Sequence, residues 1–143
     1  MGVLTDFVVA DRTDAQRVCD SDCPSRDFAG LDAKGIDPVK LGTLHAVLAG
    51  GDFDPSSLGD MLCSGGEDGP WVSEVPPDLV RRLAALTPRQ LAAAGKKWAA
   101  TEEFSPKCDD WPAEAVQQVL SDLAALCKRA VGEGKAVLMW MCL

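Results

Sequence analysis

The chain has 143 residues and a formal net charge of -8 at pH 7, and 47% of its residues are hydrophobic. That is the length of one domain, with enough apolar material for one core, so a scaffold that depends on disulfide staples is excluded. The charge sits in one half: residues 1–70 carry 13 Asp/Glu against 5 Lys/Arg, while residues 71–143 carry 9 of each, a distribution that repels nucleic acid and anionic lipid and suits a basic partner.

Val3 to Ala10 reads as a first strand, with Phe7, Val8 and Val9 supplying aromatic and β-branched content. Thr13-Asp14-Ala15-Gln16 has the capping-box pattern and predicts a helix to about Asp22, stopped by Pro24. Residues 24–36 read as loop with at most one short turn. Asp37-Pro38 opens a second helix, closed by Gly50-Gly51. Asp54-Pro55 repeats that device and predicts a shorter helix ending at Gly65-Gly66. The stretch Ser64 to Pro70 reads as a surface loop; it lacks the Gly-Lys-Ser/Thr ending of a phosphate loop, and Glu67 and Asp68 would repel phosphate.

Trp71 to Val75 alternates as a short strand does. Pro76-Pro77 starts a helix through about Leu86, and Thr87-Pro88-Arg89-Gln90 forms a second capping box that launches a helix to about Phe104. Residues 105–111 form a loop in which Asp109 or Asp110 caps the next helix. That helix is the longest, from Pro112 to about Val131, with Val116, Val119, Leu120, Leu123, Leu126, Cys127 and Ala130 on one wide apolar stripe. After Lys135 the residues Ala136 to Leu143 are uncharged and apolar, as in a strand covered on both faces. The expected fold is therefore α+β: one mostly helical domain spanning 1–143, with a small sheet formed by the N-terminal and C-terminal strands, to which either Trp71–Val75 adds a third strand or helices cover both faces.

The opening Met-Gly-Val-Leu-Thr-Asp lacks the basic region of a secretory signal, Thr5 falls one place short of a myristoylation site, and the apolar tail is far below the ~20 residues that cross a bilayer. The expectation is a cytoplasmic protein with no membrane partner. Its six cysteines, Cys19, Cys23, Cys63, Cys108, Cys127 and Cys142, are then read as thiols. Cys127 and Cys142 sit in apolar patterns and read as small buried hydrophobes. Cys19 and Cys23 are four apart with two Asp between them; a redox or metal role is conceivable, but the reactive helical spacing is Cys-x-x-Cys and no second close pair follows, so no metal and no cofactor is expected.

His45 is the single histidine and shares helical spacing with Leu41, Leu44 and Leu48, which places it at the edge of the core. Trp98 and Glu102 are four apart, followed by Glu103; a carboxylate beside an indole is a candidate perturbed acid, and two carboxylates at a helix C-terminus oppose the helix dipole. His45 and Glu102 are thus the catalytic candidates, Trp98 and Glu103 the binding candidates. Ser56, Ser57 and Ser64 lack a G-x-S-x-G setting, Asp52 and Asp54 around Phe53 lack calcium-loop spacing, and the pairs Arg81-Arg82 and Lys96-Lys97 lack the interleaved aromatics of a nucleic-acid groove.

Leu44-His45-Ala46-Val47-Leu48-Ala49-Gly50 resembles the LH-x-x-L-x-G helix end of the YfbM-like family of small uncharacterised bacterial proteins. The later order of parts is similar too: a Gly-rich loop, a Val-Pro segment opening helices, a long last helix and a closing strand. The chain departs from that pattern in having no tyrosine. The resemblance implies a bacterial cytosolic α+β protein of unassigned activity and adds interest to His45. Two functions remain open from the sequence: an acidic binding module that recognises a protein, of basic character, or a small ligand; and a small enzyme using His45 with a carboxylate or a cysteine in a pocket.

Overall fold

The computed structural model describes residues 3–52 and 59–143. The elements run β1 (Leu4–Ala10), α1 (Ala15–Cys19), α2 (Pro24–Asp27), β2 (Ala29–Asp32), α3 (Pro38–Ala49), β3 (Met61–Ser64), β4 (Trp71–Glu74), α4 (Pro77–Ala84), α5 (Pro88–Ala99), α6 (Ala113–Glu133) and β5 (Ala136–Cys142). Short 3-10 turns precede α1 (Arg12–Asp14) and follow α5 (Glu102–Phe104). The strands form one sheet in the order β2-β1-β5-β4-β3, antiparallel at every pairing. The fold is α+β, as the sequence implied.

The final strand lies at the centre of the sheet. Leu4 pairs with Cys142 and Ala10 with Ala136, so the first and last strands match along their full length. On the other side, Trp71 pairs with Met141 and Glu74 with Leu138. Alternation then sends the side chains to two separate cores. Val137, Met139 and Met141 pack with Phe7, Val9 and the helices α3 to α6, while Leu138 and Trp140 pack with Val8, Val18 and Cys19 under α1. Of the α6 stripe, Val116, Leu120, Leu123, Leu126, Cys127 and Ala130 are buried in the first core and Val119 is half-buried against it. Each such Leu contributes about 2 kcal/mol from burial before entropy is counted.

Several expectations needed correction. The helix predicted from Thr13 stops at Cys19, and Thr13 makes no cap; it lies inside the 3-10 turn instead. Residues 24–36 hold the predicted turn, α2, but also strand β2. A Cβ on Gly30 would sit 2.7 Å from the Phe7 carbonyl oxygen and 2.9 Å from the Ser25 Cα, so only glycine lets β2 lie this close to α2 and β1. The start of the helix predicted at Asp54-Pro55, together with Phe53, Ser56 and Ser57, lies outside the described residues, as do Met1 and Gly2. The described end of that segment, Met61–Ser64, is the edge strand β3, with a register shift between Met61 and Cys63. Helix α5 ends at Ala99 rather than near Phe104: the Thr101 hydroxyl donates to the Trp98 carbonyl at 2.7 Å, and the chain turns back so that Phe104 meets Trp98 edge-on, ring centres 5.1 Å apart.

Candidate functional site

The first turn of α3 is set by its sequence. Asp37 accepts a hydrogen bond from the Lys40 amide at 2.8 Å, and Pro38 occupies the first helical position. This fixes Lys40 with its side chain directed inward; only 5% of the residue is exposed. The ammonium donates to the Gly35 carbonyl at 2.8 Å and to Asp109 Oδ2 at 2.7 Å, and lies 3.6 Å from Asp37 Oδ2. It sits 5.8 Å from the ring centres of both Phe104 and Trp111. The Trp98 indole N–H donates to the Lys40 carbonyl at 2.9 Å, and the Trp111 indole N–H donates to Asp109 at 3.1 Å. The result is a lysine held by two carboxylates, one carbonyl and a bracket of aromatic rings.

Asp109 therefore has a different task from the helix cap expected of it. Helix α6 starts at Ala113 behind Pro112 without a side-chain cap, and Asp110 adopts a left-handed φ of 46°. The Lys40 ammonium, followed by the Trp111 N–H, holds the Asp109 carboxyl below its ordinary value of 3.8.

This cluster forms one wall of a cleft of about 650 Å³. Asp37, Glu103 and Asp109 supply carboxylates; Val3, Val39, Trp71, Met141 and Leu143 supply apolar surface. The carboxylates keep solvent access, with the Asp37 and Asp109 side chains 39% and 49% exposed. Lys40 donates to Gly35 and Asp109 and lies 3.6 Å from Asp37, so it offsets part of this charge and leaves the described lining net negative.

The residues singled out from the sequence fall in different places. Trp98 is fully buried, and it reaches the site only through its bond to the Lys40 carbonyl. Glu102 and Glu103 open a new 3-10 turn instead of closing α5, so the dipole conflict inferred from the sequence is absent. Glu102 is exposed and Glu103, half-buried, lines the cleft. His45 occupies the expected core edge, and its recorded partner is Asp78 on α4, with Nε2 3.4 Å from Oδ2. Arg82 binds the same carboxylate at 3.0 Å, and Arg82 first, then His45, holds the Asp78 carboxyl below its ordinary value. The structure does not bring His45 and Glu102 into hydrogen-bonding contact. His45 ties α3 to α4 and lines neither the Lys40 cleft nor the next one.

A second cleft, of about 370 Å³, is lined by Arg12, Arg81 and Lys135. Its cations are matched within the chain: Arg12 lies 3.2 Å from Glu74, Arg81 3.9 Å from Asp78 and Lys135 3.7 Å from Glu133. It makes no strong demand for an anion. Among the described residues no group of three or more His, Cys, Asp or Glu is placed to hold a metal ion, and no helix is long and apolar enough to cross a membrane.

Lys40 was missed in the sequence, although a signal was present. A lysine in the first turn of a helix opposes the helix dipole and has to be explained by a partner elsewhere. That partner, Asp109, is 69 residues away and could not be read from local spacing.

No family model and no curated protein matches the chain. Among solved structures, it is similar to YfbM from Escherichia coli, a protein of unknown function, at 17% sequence identity over 96% of this chain and 99% of that one, with a TM-score of 0.47.

Proposed function

We propose that the chain is a binding module and that the Lys40 cleft receives a basic, amphipathic segment of another protein, with its cationic groups toward Asp37, Glu103 and Asp109 and its apolar groups toward Val39, Trp71 and Leu143. One observation carries the reading: among the described residues lining this cleft, three carboxylates face one cation, Lys40, so the described lining offers surplus negative charge beside an exposed apolar wall. Val39 and Leu143, both lining this cleft, are 46% and 71% exposed, large for apolar side chains. The acidic first half of the chain, which includes Asp37, adds long-range attraction for such a partner. Glu103 is the binding residue carried forward from the sequence, and Trp98 supports the site from beneath.

The test is a calorimetric titration with a peptide of alternating lysine and leucine, beside an alternating glutamate and leucine control. Glu103→Lys should weaken the basic peptide about five- to tenfold, the scale of reversing one partly exposed charge, and raised salt should weaken it further. Unchanged affinity in Glu103→Lys, or equal binding of the acidic control, would refute the proposal.

A further inference from the structure

On the opposite face of the sheet from the Lys40 cleft, two cysteines from distant parts of the chain meet. Cys19 ends α1 and Cys63 lies on the edge strand β3. Both belong to the side-chain cluster around Val18, Leu138 and Trp140. The Cys63 thiol donates to Gln16 Oε1 at 3.4 Å, which sets it over the face of α1 that carries Gln16 and Cys19. The Cys19 thiol in turn donates to the Pro70 carbonyl at 3.8 Å, and Pro70 adjoins Trp71, the pairing partner of Ser64 on β3. These contacts fix the pair from both sides.

From this geometry we infer that Cys19 and Cys63 are an oxidation site, closing to a disulfide on exposure to a small hydroperoxide such as hydrogen peroxide. The two thiols differ in access. Cys19 is 5% exposed, whereas Cys63 is only partly covered. Burial, and after it the neighbouring Cys63 thiol, pushes the Cys19 thiol up to about 12, so it stays protonated and inert toward peroxide by itself. Cys63 is the sulfur the oxidant meets. Its thiolate attacks one peroxide oxygen, the O–O bond breaks, and hydroxide leaves as water, giving a sulfenic acid on Cys63. The Cys19 sulfur then attacks the Cys63 sulfur. The S–S bond forms, the S–O bond breaks, and the departing hydroxide takes the Cys19 proton. Two thiols are oxidised by two electrons in total, and one peroxide is reduced to two waters. The bridge would tie α1 to the short edge strand β3, closing the chain between residues 19 and 63 in a loop that the unfolded state also has to carry.

The experiment uses the full chain with one equivalent of hydrogen peroxide, alkylation of the remaining thiols, and mass mapping with fragmentation. The expected product has lost two hydrogens, carries a Cys19–Cys63 link and melts at a higher temperature than the reduced form. Cys23→Ser should give the same link. In Cys19→Ser, Cys63 should stop at a sulfenic acid that dimedone traps. A bridge to Cys23 or Cys142, or over-oxidation of Cys63 with Cys19 still open to alkylation, would overturn the inference.

Discussion

Lys40 and Asp109 form an unequal pair, since the ammonium is buried and the carboxylate is half in water. The two halves should therefore respond differently to removal. Asp109→Ala leaves a buried charge with only the Gly35 carbonyl and a more distant Asp37, a loss on the scale of about 3 kcal/mol. Lys40→Met frees a carboxylate that water can take over, and keeps most of the packing against Phe104 and Trp111; about 1–2 kcal/mol is expected. Urea midpoints of the two variants test this order. The pH dependence has a definite sign. The folded Asp109 carboxyl titrates below its ordinary 3.8, so it contributes stability above that value and loses it as pH falls through the lower folded value. Because Lys40 is the leading cause, Lys40→Met should show a flatter loss of stability in that acid range than the parent chain. His45 gives a contrasting lesson at the same scale. Its place at the core edge could be read from the three- and four-residue spacing of Leu41, Leu44 and Leu48, but Asp78, 33 positions away on another helix, could not.

Two segments carry the same capping-box pattern and adopt different structures. In Thr87-Pro88-Arg89-Gln90 both reciprocal bonds form: the Gln90 amide donates to the Thr87 hydroxyl at 3.2 Å and the Thr87 amide to Gln90 Oε1 at 3.0 Å. In Thr13-Asp14-Ala15-Gln16 neither cap forms, and the Gln16 side chain is taken by Asp20 at 2.9 Å and by the Cys63 thiol. Pro88 explains part of the difference, since its fixed φ sets the first helical residue before the cap closes. Thr87→Ala should cost about 1 kcal/mol of stability, and Thr13→Ala should stay within about 0.5 kcal/mol; thermal melts of the two variants separate them. Strong local chemistry made α3, α4, α5 and α6 legible in the sequence, and unbroken apolar runs did the same for β1 and β5. The edge strands β2 and β3 were hidden for physical reasons. One carries Gly30 where a side chain would clash, the other is bulged near Met61, and both are four residues long. Their strand character comes from the neighbours they pair with and not from their own residues.

For the whole molecule, the sequence revealed the architecture better than the site. An apolar stretch such as Ala136–Cys142 has few stable placements other than the interior of a sheet. The Lys40 cleft instead draws on Asp37, Glu103, Asp109, Trp71 and Met141, which separate elements bring together, and no local pattern encodes such convergence. Glu103 was chosen for a dipole conflict that the fold does not contain, yet it lies in the cleft. The side-by-side ends of β1 and β5 have a mechanical consequence. Tension applied at Leu4 and Cys142 loads one end of an antiparallel ladder, so its hydrogen bonds peel apart one after another. Tension applied at Leu4 and Ala136 would load the whole ladder at once, and in a single-molecule pulling experiment it should need a clearly higher rupture force. Stretched at Leu4 and Cys142, this domain opens like a zipper between its two inner strands, toward the Ala10–Ala136 end.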